Sequence, residues 1–329
     1  MPASGRCSRR TSTDIVPSVP PQVTTGLEGV TAVVLTHRRP RLAGELVRAL
    51  IAREGFRPDQ VLVVVNREGG LDDPALEAAV RVERLATNTG PAGGFRAGLV
   101  LAFEDPATEW AYLCEDDVGL LELPTPRVEA LLQRVGSVEG KTVGAVVAYG
   151  RRFDHRGHAA NVMPRPGDPA LVPVDVGAWG ATLVHRRVVE MGVLPDPGWF
   201  FGFEDFDFFS RVRSVGLDVL LDSASARAVA ATQTSHGRAD VMAEDRPIDA
   251  DEPWRAYYLA RNFFHLARAH GSPRWLGWHL AYSARRLQLA SSNAERVATL
   301  HGLFDGLRAR RGPHPRYLRT TGERAPTPE

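Results

Sequence analysis

Short apolar runs alternate with amphipathic stretches along the first part of the chain. Residues 30–35 form a continuous, mostly β-branched run, as expected of a strand buried on both faces, and the run ends at Thr36. Residues 42–53 carry apolar side chains at helical spacing, and a second buried run at residues 61–65 stops before Asn66. This order predicts a βαβ unit whose strands end in polar side chains.

The same alternation continues along the chain. A helix is predicted at residues 74–82, a short strand near residues 82–85, and a glycine-rich turn at residues 88–94 before a helix that ends near residue 103. A buried strand at residues 110–114 then runs into three acids. Strands that alternate with helices in this way predict an α/β fold with a mostly parallel, doubly wound sheet, whose ligand crevice lies beyond the carboxyl ends of the strands.

The second half of the chain has a less regular pattern. Strands are predicted at residues 142–149, 174–184 and 219–221, and helices follow from about residue 253. Polar, proline-rich composition marks both ends of the chain. The predicted division is a disordered leader (residues 1–28), a main domain (29–265), a C-terminal helical segment (266–311) and a disordered tail (312–329).

Charge and cysteine content limit the classes of function. The 40 basic residues nearly balance the 39 acidic ones, and a formal net charge of +1 argues against nucleic acid as a partner. Two cysteines are too few for a disulfide framework or a structural zinc site. Since no stretch has the pattern of a signal peptide or a membrane span, a cytoplasmic location is expected.

Three successive carboxylates at the end of an apolar strand are the strongest local signal. Glu115, Asp116 and Asp117 repel one another and are costly to desolvate without a cation. Mg²⁺ or Mn²⁺ suits such oxygen ligands and would neutralise a bound diphosphate. The alternative is an acidic surface turn, and this motif alone does not decide between them.

A second group of acids lies among phenylalanines at residues 200–216. Glu204, Asp205 and Asp207 stand in an apolar setting, and both burial and neighbouring carboxylates raise a carboxyl pKa toward that of a useful general base. The alternative is a helix start whose acids complement the helix dipole. The two interpretations are compatible, because a site can lie at a helix start.

Three weaker signals accompany these acids. His236 lies in a polar loop after a strand-like region, where it is either a metal ligand or a surface residue. The glycines of residues 88–98 allow close approach of a ligand, with a plain turn as the alternative. Arg255, Tyr258 and Asn262 share one helical face, which is suited to holding a phosphate or an acceptor.

In their order along the chain, these segments resemble the inverting glycosyltransferases of the GT-A fold, in particular the galactofuranosyl- and rhamnosyltransferase-like members of the large bacterial family 2. The resemblance covers about residues 30–265. It rests on Thr36 with residues 38–40, residues 88–98 and 115–117, Glu204 and Asp205 with Arg211 behind them, His236, and residues 257–262.

The resemblance implies a hexosyltransferase-like enzyme. It would move a sugar from a nucleotide-diphosphate donor, with UDP- or dTDP-linked sugars favoured, to a hydroxyl group of a glycan, lipid-linked or small-molecule acceptor. The anomeric configuration would be inverted. The implied cofactor is a divalent metal, Mn²⁺ or Mg²⁺.

The resemblance also implies a role for each site residue. Asp205 would be the general base, with Glu204 binding the acceptor or supporting the base. Glu115, which replaces the usual Asp, would bind the metal together with Asp117 and His236. Asn66 stands where the family more often has an acid, so Glu68 or Asp72 are alternatives there. The implied donor contacts are Thr36, Arg38, Asn66, Asn88, Gly94, Asp116 and Arg261.

Two other functions remain open at this point. A nucleotidyltransferase that makes sugar nucleotides would share the sheet and the metal requirement, but it needs a glycine-rich phosphate loop with a basic residue after the first strand. Residues 36–44 are not such a loop. A non-catalytic sugar- or partner-binding scaffold is the second alternative, and it is favoured by Glu115 and Asn66.

The C-terminal helical segment combines aromatic side chains with positive charge. Trp275, Trp278, Tyr282, Arg285 and Arg286 are of the kinds found at interfaces. They predict a contact between copies of the chain in a homo-oligomer, or a peripheral contact with the anionic inner face of a membrane. The alternative is a helix that simply covers the main domain.

Overall fold

The computed structural model describes residues 26–116, 127–138, 142–235 and 252–318. Its strands form an eight-stranded sheet and a small three-stranded sheet. The strands are β1 (Val30–Thr36), β2 (Val61–Val65), β3 (Arg81–Arg84), β4 (Trp110–Glu115), β5 (Val143–Val147), β6 (Gly150–Phe153), β7 (Ala159–Asn161), β8 (Leu171–Pro173), β9 (Val176–Gly177), β10 (Thr182–His185) and β11 (Asp218–Asp222).

The large sheet has the order β3-β2-β1-β4-β10-β5-β11-β8. The pairs β1 with β2, β1 with β4, β2 with β3 and β5 with β11 are parallel, whereas β10 is antiparallel to both β4 and β5, and β8 is antiparallel to β11. The chain builds β2 and β3 on one side of β1 and then crosses to the other side at β4. The carboxyl ends of β1 and β4 therefore form a topological switch point, the usual ligand crevice of such sheets.

Helices cover the sheet. They are α1 (Pro40–Ala49), α2 (Pro74–Ala79), α3 (Gly90–Ala102), α4 (Arg127–Gly136), α5 (Arg186–Glu190), α6 (Glu204–Ser214), α7 (Ser223–Ser235), α8 (Pro253–Ala269), α9 (Pro273–Leu289) and α10 (Asn293–Leu307). The predicted fold class, α/β with a mostly parallel doubly wound sheet and C-terminal helices, is confirmed.

The core has a layer on each face of the sheet. Val33 and Leu35 of β1 pack in the cluster that contains Phe95 of α3, whereas Val34 packs in the opposite cluster with Leu46 of α1. Because successive side chains of a strand point to opposite faces, a strand covered on both sides must be apolar throughout. This explains why β1 is apolar from residue 32 to residue 35, whereas the buried hydroxyl of Thr31 is satisfied by that of Thr108 at 2.9 Å.

Three predicted elements differ from the structure. The predicted turn at residues 88–94 is helical from Gly90 onward. The predicted strand at residues 174–184 is divided into β9 and β10, because the chain turns at Ala181, which has a φ of 57°, and Thr182 bonds back to the carbonyl of Ala178. The strand-like region that leads to residue 231 is helix α7, whose start is fixed by Asp222 accepting from the Ser225 amide at 2.8 Å.

The C-terminal helices contact earlier parts of the chain. The predicted boundary at residue 265 falls inside α8. Residues 312–318 fold back, and the ring of Tyr317 stacks on that of Tyr257 in α8 with a centroid distance of 4.3 Å. Trp275, a predicted interface residue, is buried against Phe153 and Phe263. In the described part of the chain, no helix has both the length and the apolar character of a membrane span.

Candidate functional site

Asp116 joins the carboxyl ends of β1 and β4 at the switch point. The Thr36 hydroxyl donates to one Asp116 carboxylate oxygen at 2.7 Å, and an Arg39 guanidinium nitrogen donates to the other at 3.1 Å. Burial raises the pKa of Asp116, against the opposing effect of the Thr36 hydrogen bond and the Arg39 charge. Asp116 is 8% exposed, so its chief role in this structure is to fix the two strand ends.

Arg38 turns outward beside the switch point. Its φ of 59° lies in the left-handed region, and its side chain pairs with Glu68 at 2.7 Å. The neighbouring His37 ring nitrogen lies 2.6 Å from the carbonyl oxygen of Asn66, and burial lowers the pKa of His37. Arg38 and Glu68 therefore stand together at the rim, where Glu68 was predicted as an alternative to Asn66.

Asn66 holds the start of α3. Its side-chain oxygen accepts from the Thr89 amide at 2.9 Å, and its side-chain nitrogen donates to Asn88 Oδ1 at 3.1 Å and to the carbonyl of Gly90 at 3.2 Å. The residue is 4% exposed. An acid could not donate the last two hydrogen bonds, which gives a physical reason for an amide at this position.

Two glycines bring α3 close to its neighbours. Gly90 has a φ of 67°, and a Cβ at this position would lie 1.8 Å from the carbonyl oxygen of Phe200. A Cβ on Gly94 would lie 2.3 Å from a methyl group of Leu35. Gly94 thus packs the helix against β1, and Gly90 brings the helix start against the loop that precedes α6.

The loop at residues 199–203 is fixed by α8. The Asn262 side-chain nitrogen lies 2.9, 2.7 and 2.9 Å from the carbonyl oxygens of Trp199, Phe201 and Gly202. Arg261, which is fully buried, donates to the Trp199 carbonyl at 3.0 Å. The structure therefore places the predicted donor contact Arg261 against a loop of its own chain.

That loop contains strained backbone. Phe200 and Phe203 have φ values of 63° and 66°, although neither is glycine. Each residue in this region costs about 1–3 kcal/mol and persists where its surroundings hold it. Phe203 is the N-cap of α6, so the strain lies directly before the acids of that helix.

Glu204 and Asp205 begin α6 in different surroundings. Burial raises the pKa of both carboxyl groups, and the charge of Asp205 raises that of Glu204 further. Glu204 is 5% exposed, and within the described chain its Oε2 atom has no hydrogen-bond partner. Asp205 is partly buried, and its carboxylate accepts a hydrogen bond from the Phe206 amide at 2.8 Å.

Asp207, one turn into α6, is held as an anion. Burial acts to raise its pKa, but the hydrogen bond with His270 and the charge of Arg211 outweigh that effect and lower it. The His270 ring nitrogen lies 2.9 Å from one carboxylate oxygen, and Arg211 donates to the other at 2.9 Å. Asp207 thus ties α6 to the end of α8.

Trp179 packs between helices α3 and α6. Its ring lies 5.0 Å from Phe95 of α3 and 5.2 and 5.8 Å from Phe208 and Phe209 of α6, measured between centroids. Within the described chain, the Trp179 indole N–H has no hydrogen-bond partner. Through this ring, α3 and α6 share one apolar contact.

The predicted metal ligands are only partly described. Glu115 ends β4 beside Asp116, whereas Asp117 and His236 lie outside the described residues. Within residues that the structure does describe, no group of three His, Cys, Asp or Glu side chains could hold a metal ion. The described donors do not form a metal site by themselves, so the metal stays a prediction.

In the sequence, Arg39 stands out only within residues 38–40, and Trp179 is not singled out. Arg39 was part of the polar run after β1, and Trp179 lay inside a predicted continuous strand. Asn262 was noticed as a ligand contact, whereas the structure shows it holding a loop. No signal in the sequence indicates that role, because the carbonyls that Asn262 contacts lie about sixty residues earlier in the chain.

The chain has only weak similarity to known proteins. No protein-family model and no curated protein matches this sequence. Among solved structures, the crystal structure of GalNAc-T7 with UDP, GalNAc and Mn²⁺ has 14% identity and a TM-score of 0.47, over 59% of this chain and 42% of that chain. The crystal structure of A197 from STIV has 14% identity and a TM-score of 0.31, over 59% of this chain and 82% of that one. Neither match assigns a ligand or a residue role to this protein.

Proposed function

We propose that this protein is an inverting glycosyltransferase, which moves a sugar from a nucleotide-diphosphate donor to an acceptor hydroxyl. The observation that carries the proposal is the pair of partly desolvated carboxylates at the start of α6, packed through the 199–203 loop against the start of α3. The α3 helix in turn is held by Asn66, at the end of the strand next to the switch point. Such crevices bind nucleotides in other doubly wound sheets.

The proposed reaction is a single displacement. The acceptor oxygen forms a bond to the anomeric carbon while its proton passes to Asp205. The bond between the anomeric carbon and the diphosphate oxygen breaks, and the nucleoside diphosphate leaves with that electron pair. Because attack and departure occur on opposite faces, the configuration inverts.

Asp205 is the better candidate for the base. Burial raises its pKa, which strengthens it as a base, and part of its surface remains accessible to an acceptor. The more deeply buried Glu204 ionises less readily, because burial and the charge of Asp205 both raise its pKa. We assign Glu204 to support of the base or to a hydrogen bond with the acceptor.

Donor binding is proposed at the switch point. Arg38 and Glu68 at the rim are accessible, and Thr36 and Asp116 form the floor. A divalent ion on Glu115, Asp117 and His236 is proposed as well, and when bound it would neutralise charge on the leaving diphosphate. UDP- and dTDP-sugars are the favoured donors, with glycan, lipid-linked or small-molecule acceptors.

The proposal is tested with a panel of UDP-, dTDP- and GDP-sugars. Nucleoside diphosphate release is measured by chromatography with and without Mn²⁺, and products are identified by mass spectrometry and by NMR of the anomeric proton. Asp205→Asn is expected to lower turnover about 10²- to 10⁴-fold, with donor affinity nearly unchanged. The matched control is Asp59→Asn, which alters an exposed carboxylate paired with Arg57.

The outcomes separate the functions. Release of nucleoside diphosphate with an inverted product supports the transferase. Pyrophosphate release would instead indicate a nucleotidyltransferase, and donor binding without turnover a scaffold. A product that retains the donor configuration contradicts the single displacement.

A further inference from the structure

Helix α10 presents an apolar stripe to its surroundings. Val297, Leu300, Phe304 and Leu307, here called the α10 stripe, are 38%, 52%, 51% and 59% exposed. Their spacing of three, four and three residues places them along one face of the helix. The opposite face of α10 is packed on α8, where Gly302 and Gly306 lie against the Tyr257 carbonyl and the Phe264 ring.

The apolar surface continues beyond the start of the stripe. Arg296 in the first turn of α10 donates to the carbonyls of Leu287 and Ala290, so the end of α9 lies beside the start of the stripe. There Leu289 is 70% exposed. Such a contiguous run of large apolar side chains marks an interaction surface more often than isolated exposed residues do.

The C-terminal segment that contains the stripe is mostly positive, although Arg311 is paired with Asp196. Residues 266–318 contain nine arginines and two acids. Both acids are turned inward: Glu295 is 4% exposed and pairs with Arg286, and Asp305 is 8% exposed and accepts from the Tyr257 hydroxyl at 2.7 Å. Arg308 stays at the surface, with its guanidinium carbon 3.7 Å from the Phe304 ring centroid.

We propose that the α10 stripe docks this protein on a bilayer surface that contains anionic lipid. Leucine and phenylalanine side chains would enter the boundary between headgroups and acyl chains, and the arginines around them would meet lipid phosphates. A second copy of this chain fits less well, because pairing two such faces would bring like charges together. The inference does not depend on the sugar-transfer proposal.

The test is cosedimentation of the full chain with lipid vesicles, without nucleotide-sugar. The protein is expected to bind vesicles that mix phosphatidylglycerol with phosphatidylcholine, to bind pure phosphatidylcholine vesicles weakly, and to be released by salt. The double change Leu300→Ser with Phe304→Ser should lower vesicle partitioning about 25-fold, because each half-exposed apolar side chain contributes about fivefold. Arg308→Gln should lower it about fivefold.

Controls separate docking from folding and from self-association. Met191→Ser changes another exposed apolar residue, 44% exposed and outside α9 and α10, and should leave binding unchanged. Circular dichroism and urea midpoints should match the wild type for all variants. Equal binding of the wild type to both vesicle types, no binding at all, or unchanged binding of the double variant overturns the proposal. So does a wild-type dimer, seen by light scattering, that the double change converts to monomer without any vesicle binding.

Discussion

Asn262→Ala should loosen the loop that precedes the acidic helix. The change removes the donor that lies 2.7 Å from the Phe201 carbonyl and 2.9 Å from the Gly202 carbonyl. The Trp199 carbonyl keeps its hydrogen bond from Arg261. The change also removes the acceptor of the buried Arg261 Nε, which lies 2.8 Å from Asn262 Oδ1. The perturbation therefore acts on the middle of the loop, between two residues with left-handed backbone, and on the guanidinium that holds the start of the loop.

The size of the effect follows from those two carbonyls. A buried acceptor that loses its donor costs about 1–3 kcal/mol. Both carbonyls are partly buried, so water can replace some of the lost hydrogen bonding, and we expect the free energy of unfolding to fall by about 2–3 kcal/mol. Relaxation of the strained residue before α6 should also displace Asp205 and reduce any sugar transfer.

Urea unfolding followed by circular dichroism measures the change. Asn293→Ala is the matched control, since Asn293 is an exposed asparagine at the start of α10 that contacts Arg296, and it should shift stability by about 0.5 kcal/mol or less. If Asn262→Ala stays within about 0.5 kcal/mol of the wild type, the loop does not depend on this amide and the reasoning fails.

Three further predictions concern the site. The pKa of Glu204 is raised above its ordinary value of 4.5. Between pH 4.5 and the raised pKa, the native state therefore binds more protons than the unfolded state. The free energy of unfolding should fall as pH rises through this range. Glu204→Gln should reduce that slope in urea unfolding across the pH range, and an unchanged slope refutes the assignment. Gly90→Ala should lower the free energy of unfolding by about 2 kcal/mol or more, because the new methyl group clashes with the Phe200 carbonyl and the backbone has a positive φ. Gly192→Ala is the control, since Gly192 has a φ of 79° but open space around it, so that only the backbone effect remains. Equal losses in the two variants would show that the clash is absent. Asp117→Ala should abolish activity and metal-dependent nucleotide binding together, and full turnover in excess chelator contradicts the metal site.

The sequence predicted the parts of the fold that depend on local pattern. The strands through residue 65 and the strand before Glu115 match the structure to within a residue, because a strand buried on both faces must be continuously apolar. The α6 helix was also expected from its acids and following arginines. These strands and this helix could be predicted because the apolar pattern of a buried strand and the charges at a helix start each depend on residues that are close together in the chain.

The remaining features depend on contacts that are distant in sequence. The helical start at Gly90 is set by Asn66, and the loop before α6 is set by Asn262, about sixty residues later. Glycine content alone predicts a turn at the first of these positions. Arg261 was assigned from a resemblance, and only the fold shows that its guanidinium faces carbonyls of its own chain.

Strand β10 has a consequence for how the sheet unfolds. It lies between β4 and β5 and pairs with both, through residues Thr182–His185 on one side and through Leu183 and Val184 on the other. The block β3-β2-β1-β4 and the block β5-β11-β8 are therefore joined along a seam four residues long. Amide hydrogen exchange at Leu183 and Val184 reports on that seam. If the two blocks form one cooperative unit, these amides exchange only with global unfolding, and if they are separate units, the same amides exchange at the lower free energy of the weaker block.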